Sequence, residues 1–300
     1  MGSESFGGTV SRIGISPILW SNDDLPVLGA DVSLDRCLAE ARKAGFEGIE
    51  LGHKFPKDPP SLKRLLSQHA LHLVAGWFGS RLLARNVDDE MNRLAPTLDL
   101  LAEVDCHLLV LAEMTGAVHR DRTVSASKRP LLHPEGFKLF GESLTLLADA
   151  LFARGFEVAY HHHVGTVIET MDDLDALMDH TGETVKLTLD TGHAQYGGFD
   201  PADVLRRHRG RVSHLHLKDI RPGTLRNVES HSASFLDAVV DGVFTVPGDG
   251  AYDFKRFFDV LQEEPYDGWL VVEADQDPDR ADPFVYASIG RNSLRRWLGI

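Results

Sequence analysis

The chain has 300 residues, of which 43% are apolar and 25% charged, with a formal net charge of −14. That is enough apolar sequence to bury a full core, and no run of eighteen apolar residues predicts a membrane span. The acidic balance, with Lys and Arg scattered rather than clustered, argues against a protein that grips a nucleic-acid backbone and favours a small, neutral or weakly charged substrate. Residues 1–11 lack a basic segment and an apolar stretch, so they read as a disordered lead-in rather than a signal peptide. The two cysteines, Cys37 and Cys106, have no CxxC spacing, which fits packing roles in a reduced, cytoplasmic compartment.

Strand-like apolar runs alternate with amphipathic helical stretches throughout 12–300. A first strand is predicted at 12–16, and Ser33 caps a helix that Gly45 stops. A strand at 48–51 and a helix at 60–69 follow, then a strand at 72–77 and a helix at 88–104. The fourth strand, 107–113, leads into a polar loop at 115–129 and a helix at 134–154. Strands at 157–161, 185–189, 212–217 and 269–272 complete the set, with helices near 170–180, 201–207, 254–263 and 283–298. Such a βα alternation predicts one domain, a single (β/α)₈ TIM barrel. The segment 221–249 is too long for a plain βα loop. It carries one short helical pattern at 233–240 and predicts a lid or side wall, or else an insertion for oligomer contacts.

Chemistry-bearing residues gather at strand ends. In Lys186-Leu-Thr-Leu-Asp-Thr-Gly-His193, alternation puts Lys186, Thr188 and Asp190 on one face and carries His193 just past the strand. In the same way His216 and Lys218 share a face, Glu273 ends the last strand, and His161 and His163 share a face while His162 points towards the helices. Asp190, His216 and Glu273, with an inward histidine, form a mixed carboxylate and imidazole set. Such a set suits Mn²⁺ or Co²⁺ best, with Zn²⁺, Fe²⁺ or Mg²⁺ as further options. Taken singly, each has an ordinary explanation: a helix cap, a satisfied core histidine, a salt-bridge partner. Their convergence at one barrel mouth is what points to a site. Glu50 and Glu113 are expected at the mouth as acid–base or hydroxyl-binding groups. His53, Lys54, Trp77 and His163 join Glu50 as substrate-contacting candidates. No glycine-rich nucleotide fingerprint, Walker loop or GxSxG elbow is present, so no nucleotide cofactor is expected.

These motifs resemble a known group. Leu189-Asp-Thr-Gly-His193, His214-Leu-His-Leu-Lys-Asp219 and the Val272, Glu273, Ala274 run are similar to the xylose-isomerase-like superfamily of sugar isomerases and epimerases. Within it, 18–24, 52–58, 160–166 and 273–278 are similar to the inosose dehydratases of inositol catabolism. The resemblance implies a metal shell of His161, Asp190, His216 and Glu273. It also implies a cyclic keto-polyol (cyclitol ketone) substrate and often a homo-oligomer. His161 stands where the isomerases carry a proton-moving glutamate, which fits a lyase better than an epimerase. His53 replaces an asparagine usual in the dehydratases.

The implied reaction is a metal-dependent dehydration of 2-keto-myo-inositol to a trihydroxycyclohexane-dione, by α-proton abstraction and loss of the β-hydroxyl. Glu273 is the first candidate base if its second oxygen is free, and Glu113 the second. His193 or Lys218 is the candidate acid. A keto-sugar isomerase or epimerase on the same barrel is the alternative. A metal-dependent endonuclease fits the acidic surface poorly, and intact ligands argue against a catalytically silent sugar binder.

Overall fold

The computed structural model describes residues 12–299; the lead-in expected at 1–11 lies outside the described residues. Nine parallel strands form one sheet: β1 (Arg12–Ile15), β2 (Gly48–Ile49), β3 (His72–Leu73), β4 (Gly76–Ser80), β5 (Leu108–Glu113), β6 (Glu157–His161), β7 (Val185–Asp190), β8 (Val212–Leu217) and, last in the chain, β11 (Trp269–Val272). Their spatial order is β3-β2-β1-β11-β8-β7-β6-β5-β4. The two edge members, β3 and β4, are separated in the chain only by Val74 and Ala75. They are two halves of one bent strand, the first pairing with β2 and the second with β5, so the sheet closes into an eight-staved barrel. The third strand predicted at 72–77 is therefore broken in the middle and runs on to Ser80.

The helices are α1 (Leu34–Ala44), α2 (Pro59–His69), α3 (Val87–Glu103), α4 (Pro134–Phe152), α5 (Met171–Met178), α6 (Thr191–Tyr196), α7 (Pro201–His208), α8 (Pro222–Ser230), α9 (Phe235–Val240), α10 (Phe254–Leu261) and α11 (Pro283–Leu298). Their ends carry the expected chemistry. The Ser33 hydroxyl accepts from the Arg36 amide to open α1, and Gly45, in the left-handed region at φ 94°, closes it. Thr170 and Asp173 form a reciprocal capping box on α5. None of the described helices is long and apolar enough to cross a membrane.

Burial sorts the two faces of the strands. Val110, Trp269 and Val271 cluster with Val74 and Ala75 inside the barrel. Leu109, Leu111, Leu187, Leu189, Leu215 and Leu217 belong instead to the large core shared with the helices. A third apolar cluster, built on Phe235, Leu236, Val239, Val243 and Phe244, is centred in the segment after β8 and takes in Ala126 and Val164 from the loops after β5 and β6. Within that segment β9 (Asp219–Ile220) and β10 (Phe244–Thr245) pair antiparallel and clasp α8 and α9. The segment expected to hold one short helix thus holds two, because α8 begins Pro222-Gly223 and shows no clear apolar stripe.

Candidate metal and substrate site

β7 ends on Asp190, and this residue serves two structures at once. Its Oδ1 accepts from the amides of Gly192 at 2.8 Å and His193 at 2.9 Å and so caps α6. His193, expected just past the strand, is consequently inside a short helix. Gly192 is required here for a close approach: a Cβ would stand 2.5 Å from Lys218 Cγ. Thr191 Oγ1 locks the same corner, accepting from the Lys218 amide at 2.9 Å and donating to its carbonyl at 2.6 Å.

The other oxygen, Asp190 Oδ2, is buried and receives no hydrogen bond of good geometry among the described residues. It lies 3.5 Å from His161 Nε2 and 3.6 Å from His216 Nδ1. His216 Nδ1 is also buried without a hydrogen bond, 3.2 Å from Glu273 Oε2. Three of the residues predicted as ligands, from β6, β7 and β8, are therefore brought together, and the fourth, Glu273 at the end of β11, lies against His216. The donor atoms of His161, Asp190 and His216 all fall within 4.8 Å of one another. Two imidazoles and two carboxylates, with buried atoms left unpaired, fit a divalent cation of the borderline kind.

Beside this cluster Lys218 is fully buried and surrounded by carboxylates: Glu273 Oε1 and Asp275 Oδ2 each at 2.6 Å, Asp190 Oδ2 at 3.3 Å. Burial disfavours its charge, but Asp190, Asp275 and Glu273 outweigh that and hold its pKa well above the ordinary lysine value. For Asp275 burial dominates over the pull of Lys218 and lifts the carboxyl to about 6. Burial drives His163 and His193 well below the ordinary histidine value, so both rings are neutral at pH 7. His216 goes the other way, because Glu273 and Glu50 override its burial.

The remaining predicted residues divide between the cleft and elsewhere. Glu50, His163, His193, Glu273 and Trp77 line the cleft at the strand ends, Trp77 edge-on to His161 with ring centres 5.5 Å apart. Glu50 faces inward as expected, yet its Oε1 is held by His214 at 2.8 Å and His216 at 3.0 Å. His53 stands at the half-exposed rim, with Nδ1 2.6 Å from Asp23 Oδ1. The rings of His163 and His193 are 3.9 Å apart, and Phe235 packs over both, at 5.2 Å and 5.8 Å. The segment after β8 therefore packs against two of the histidines that line the cleft, through Phe235 and Phe244, and contributes no lining residue of its own among the described residues.

Three expectations are corrected. Glu113 does not reach the mouth: it shares the face of Leu109 and Leu111, which is the helix-facing one. Its carboxylate is filled by Ser80 Oγ and the Leu82 amide at 2.8 Å and the Thr115 amide at 2.9 Å. Lys54 does not reach the cleft, since its ammonium donates to the carbonyls of Gly29, Ala30 and Val32. Glu273 has no idle oxygen, because Oε1 is bonded to Lys218. Conversely, the cleft includes Asp275, Asp23, Asp24 and Arg120, which the sequence did not single out. Asp275 was within reach of alternation from Glu273, two residues earlier. Asp23, Asp24 and Arg120 sit on loops, where no periodicity marks a direction.

A family model described as xylose isomerase-like TIM barrel matches residues 38–294. The chain belongs to that family. It is 44% identical to the rhizopine catabolism protein MocC of Rhizobium meliloti, over 95% of this chain and 88% of that one. It is 38% identical to an inosose dehydratase of Geobacillus thermodenitrificans, over 96% of this chain and 98% of that one. Similarity of this extent makes it an inosose dehydratase-like enzyme within the xylose isomerase-like family. Among solved structures, the IOLI protein with a binding zinc atom superposes with a TM-score of 0.69 at 15% identity, covering 96% of this chain and 98% of that one, and shares the fold.

Proposed function

We propose that the protein dehydrates 2-keto-myo-inositol to a trihydroxycyclohexane-dione. The observation that carries the proposal is the Glu273–Lys218–Asp275 chain, with both links 2.6 Å long, set directly against the ligand cluster. The full-length similarity to inosose dehydratases supports the substrate. A divalent cation held by His161, Asp190, His216 and Glu273, with Mn²⁺ or Co²⁺ favoured, would supply Lewis acidity to the ketone.

The chain's own residues handle the protons. Elimination removes one proton from the carbon next to the ketone and returns one to the departing hydroxyl, so acid and base must both face the ring. Glu273 and Asp275 line the cleft, whereas Lys218 lies behind them with no solvent exposure. Glu273 Oε1, which keeps a second lone pair beside its bond from Lys218, takes the α-proton, Lys218 Nζ links the two carboxylates, and Asp275 delivers a proton to the leaving hydroxyl, which departs as water. His193 is the neighbouring alternative as acid, its Nε2 3.3 Å from Lys218 Nζ. The neutral rings of His163 and His193, roofed by Phe235 and Phe244, keep bulk water from the intermediate enol. Asp23, Asp24, Arg120 and Trp77 form the outer cleft, where ring hydroxyls are recognised.

A proton NMR time course in D₂O tests this, using protein reloaded with Mn²⁺ or Co²⁺, then cleared of free metal, and 2-keto-myo-inositol. Loss of one hydroxyl-bearing carbon signal and growth of a diketone with a new CH₂ or CHD resonance is expected. Deuterium exchange at the α-carbon with all hydroxyls retained would make the enzyme an isomerase. Silence with every metal would remove the substrate.

A further inference from the structure

His216 offers its two ring nitrogens to different neighbours. Nδ1 faces Glu273 Oε2 at 3.2 Å and Asp190 Oδ2 at 3.6 Å, whereas Nε2 lies 3.0 Å from Glu50 Oε1. The same Glu50 oxygen is 2.8 Å from His214 Nε2. An ionised carboxylate only accepts hydrogen bonds, so each of these Nε2 atoms carries a hydrogen and donates it. A neutral His216 with hydrogen on Nε2 has its lone pair on Nδ1. That is the buried nitrogen that lacks a hydrogen bond and looks into the ligand cluster.

We infer that Glu50 is a positioning residue for the metal centre rather than a group that reads substrate hydroxyls. From β2, on the far side of the barrel interior from β7, it holds His216 in the tautomer and ring plane that present Nδ1 to the cation. His214, two residues earlier on the same face of β8, donates to the same oxygen and stops the carboxylate from swinging away. The Glu50 amide, bonded to the Ile15 carbonyl at 3.1 Å, fixes the backbone from which it reaches. A ligand whose second nitrogen is fixed by a carboxylate is pre-oriented and more basic, and loss of such a partner typically weakens metal binding about 10–100-fold.

Glu50, His214 and His216 are themselves close enough to be taken for a second metal cluster. Their spacing of 2.8 Å and 3.0 Å is that of hydrogen bonds already made, and His216 cannot give Nε2 to one ion while donating it to Glu50. One ion site follows among the described residues. The inference rests on the metal centre proposed above, and the experiment separates the two.

Metal-stripped full-length protein is titrated with Mn²⁺ by equilibrium dialysis, for the wild type, Glu50→Ala and Glu50→Gln. The wild type is expected to bind one ion, Glu50→Ala to bind about 10–100-fold more weakly, and Glu50→Gln, which keeps an acceptor oxygen, to fall between them. In parallel, ¹⁵N-histidine-labelled wild type loaded with Zn²⁺ is expected to show His216 protonated on Nε2. That spectrum decides the matter even if Glu50→Ala does not fold. Unchanged affinity in Glu50→Ala, two ions per chain, or hydrogen on Nδ1 of His216 would each overturn the role of Glu50 and leave the metal centre standing. A wild type that binds no Mn²⁺, Co²⁺ or Zn²⁺ would overturn both.

Discussion

Asp190 spends one carboxylate oxygen on capping α6 and leaves the other unpaired among the candidate ligands, and this makes its two replacements unequal. Asparagine is as good an N-cap as aspartate, so Asp190→Asn is expected to keep α6 and the melting temperature while losing tight metal binding. Asp190→Ala removes the cap as well and should cost about 1 kcal/mol of stability in addition. Circular dichroism melts and equilibrium dialysis on the pair separate the two functions; full metal retention in either variant would remove Asp190 from the shell. Glu113 predicts the opposite. Glu113→Ala leaves buried donors from Ser80, Leu82 and Thr115 unpaired, at roughly 1–3 kcal/mol for each unsatisfied group. Its melting temperature should fall while metal affinity holds. A loss of turnover at undiminished stability would return Glu113 to the reaction. The contrast explains what alternation can reveal. It groups Asp190 with Thr188 and His216 with Lys218, correctly, since the leucines between them belong to the helix-facing core. It cannot say which group faces inward when both faces of a parallel strand are buried, and Glu113 was assigned to the wrong side for that reason.

At the level of elements, the segment after β8 is anchored by an apolar cluster that it shares with Ala126 and Val164, with Phe235 at the junction with His163 and His193. Phe235→Ala is expected to cost about 3–5 kcal/mol if the cavity does not collapse, and hydrogen exchange should rise in α9 before it rises in the barrel. Uniform exchange across both would show that α9 and barrel open together. Lys54 secures a different element. With three carbonyls of 29–32 on its ammonium, Lys54→Met should make that loop the first site cut in limited proteolysis, and an unaltered cleavage pattern would contradict the assignment. Most elements were legible because their punctuation is local: Ser33 and Gly45 around α1, Pro283 at the start of α11. The break between β3 and β4 and the helix α8 were not, since one arises from closing the barrel and the other from packing on a neighbouring segment.

Across the whole molecule, His161, Asp190 and His216 come from three different strands and Glu273 follows a fourth, so an ion bound among them would join distant parts of the chain and stabilise only the folded form. At a hundredfold excess over its dissociation constant it should contribute about 2.7 kcal/mol. A thermal melt should shift down with chelator and return with Mn²⁺ or Co²⁺; an identical melt in all three conditions would mean the folded chain holds no ion. The apolar cluster of the segment after β8 takes in Ala126 and Val164 from the loops that follow β5 and β6, with Tyr196 of α6 packed against it, while all four candidate ligands belong to barrel strands or their ends. Descendants of such a chain can therefore change this cover only together with the loops after β5 and β6 and with α6, whose residues it packs against. Inheritance at this corner of the barrel is therefore collective, and a change in what covers His163 and His193 travels with matching changes in its neighbours.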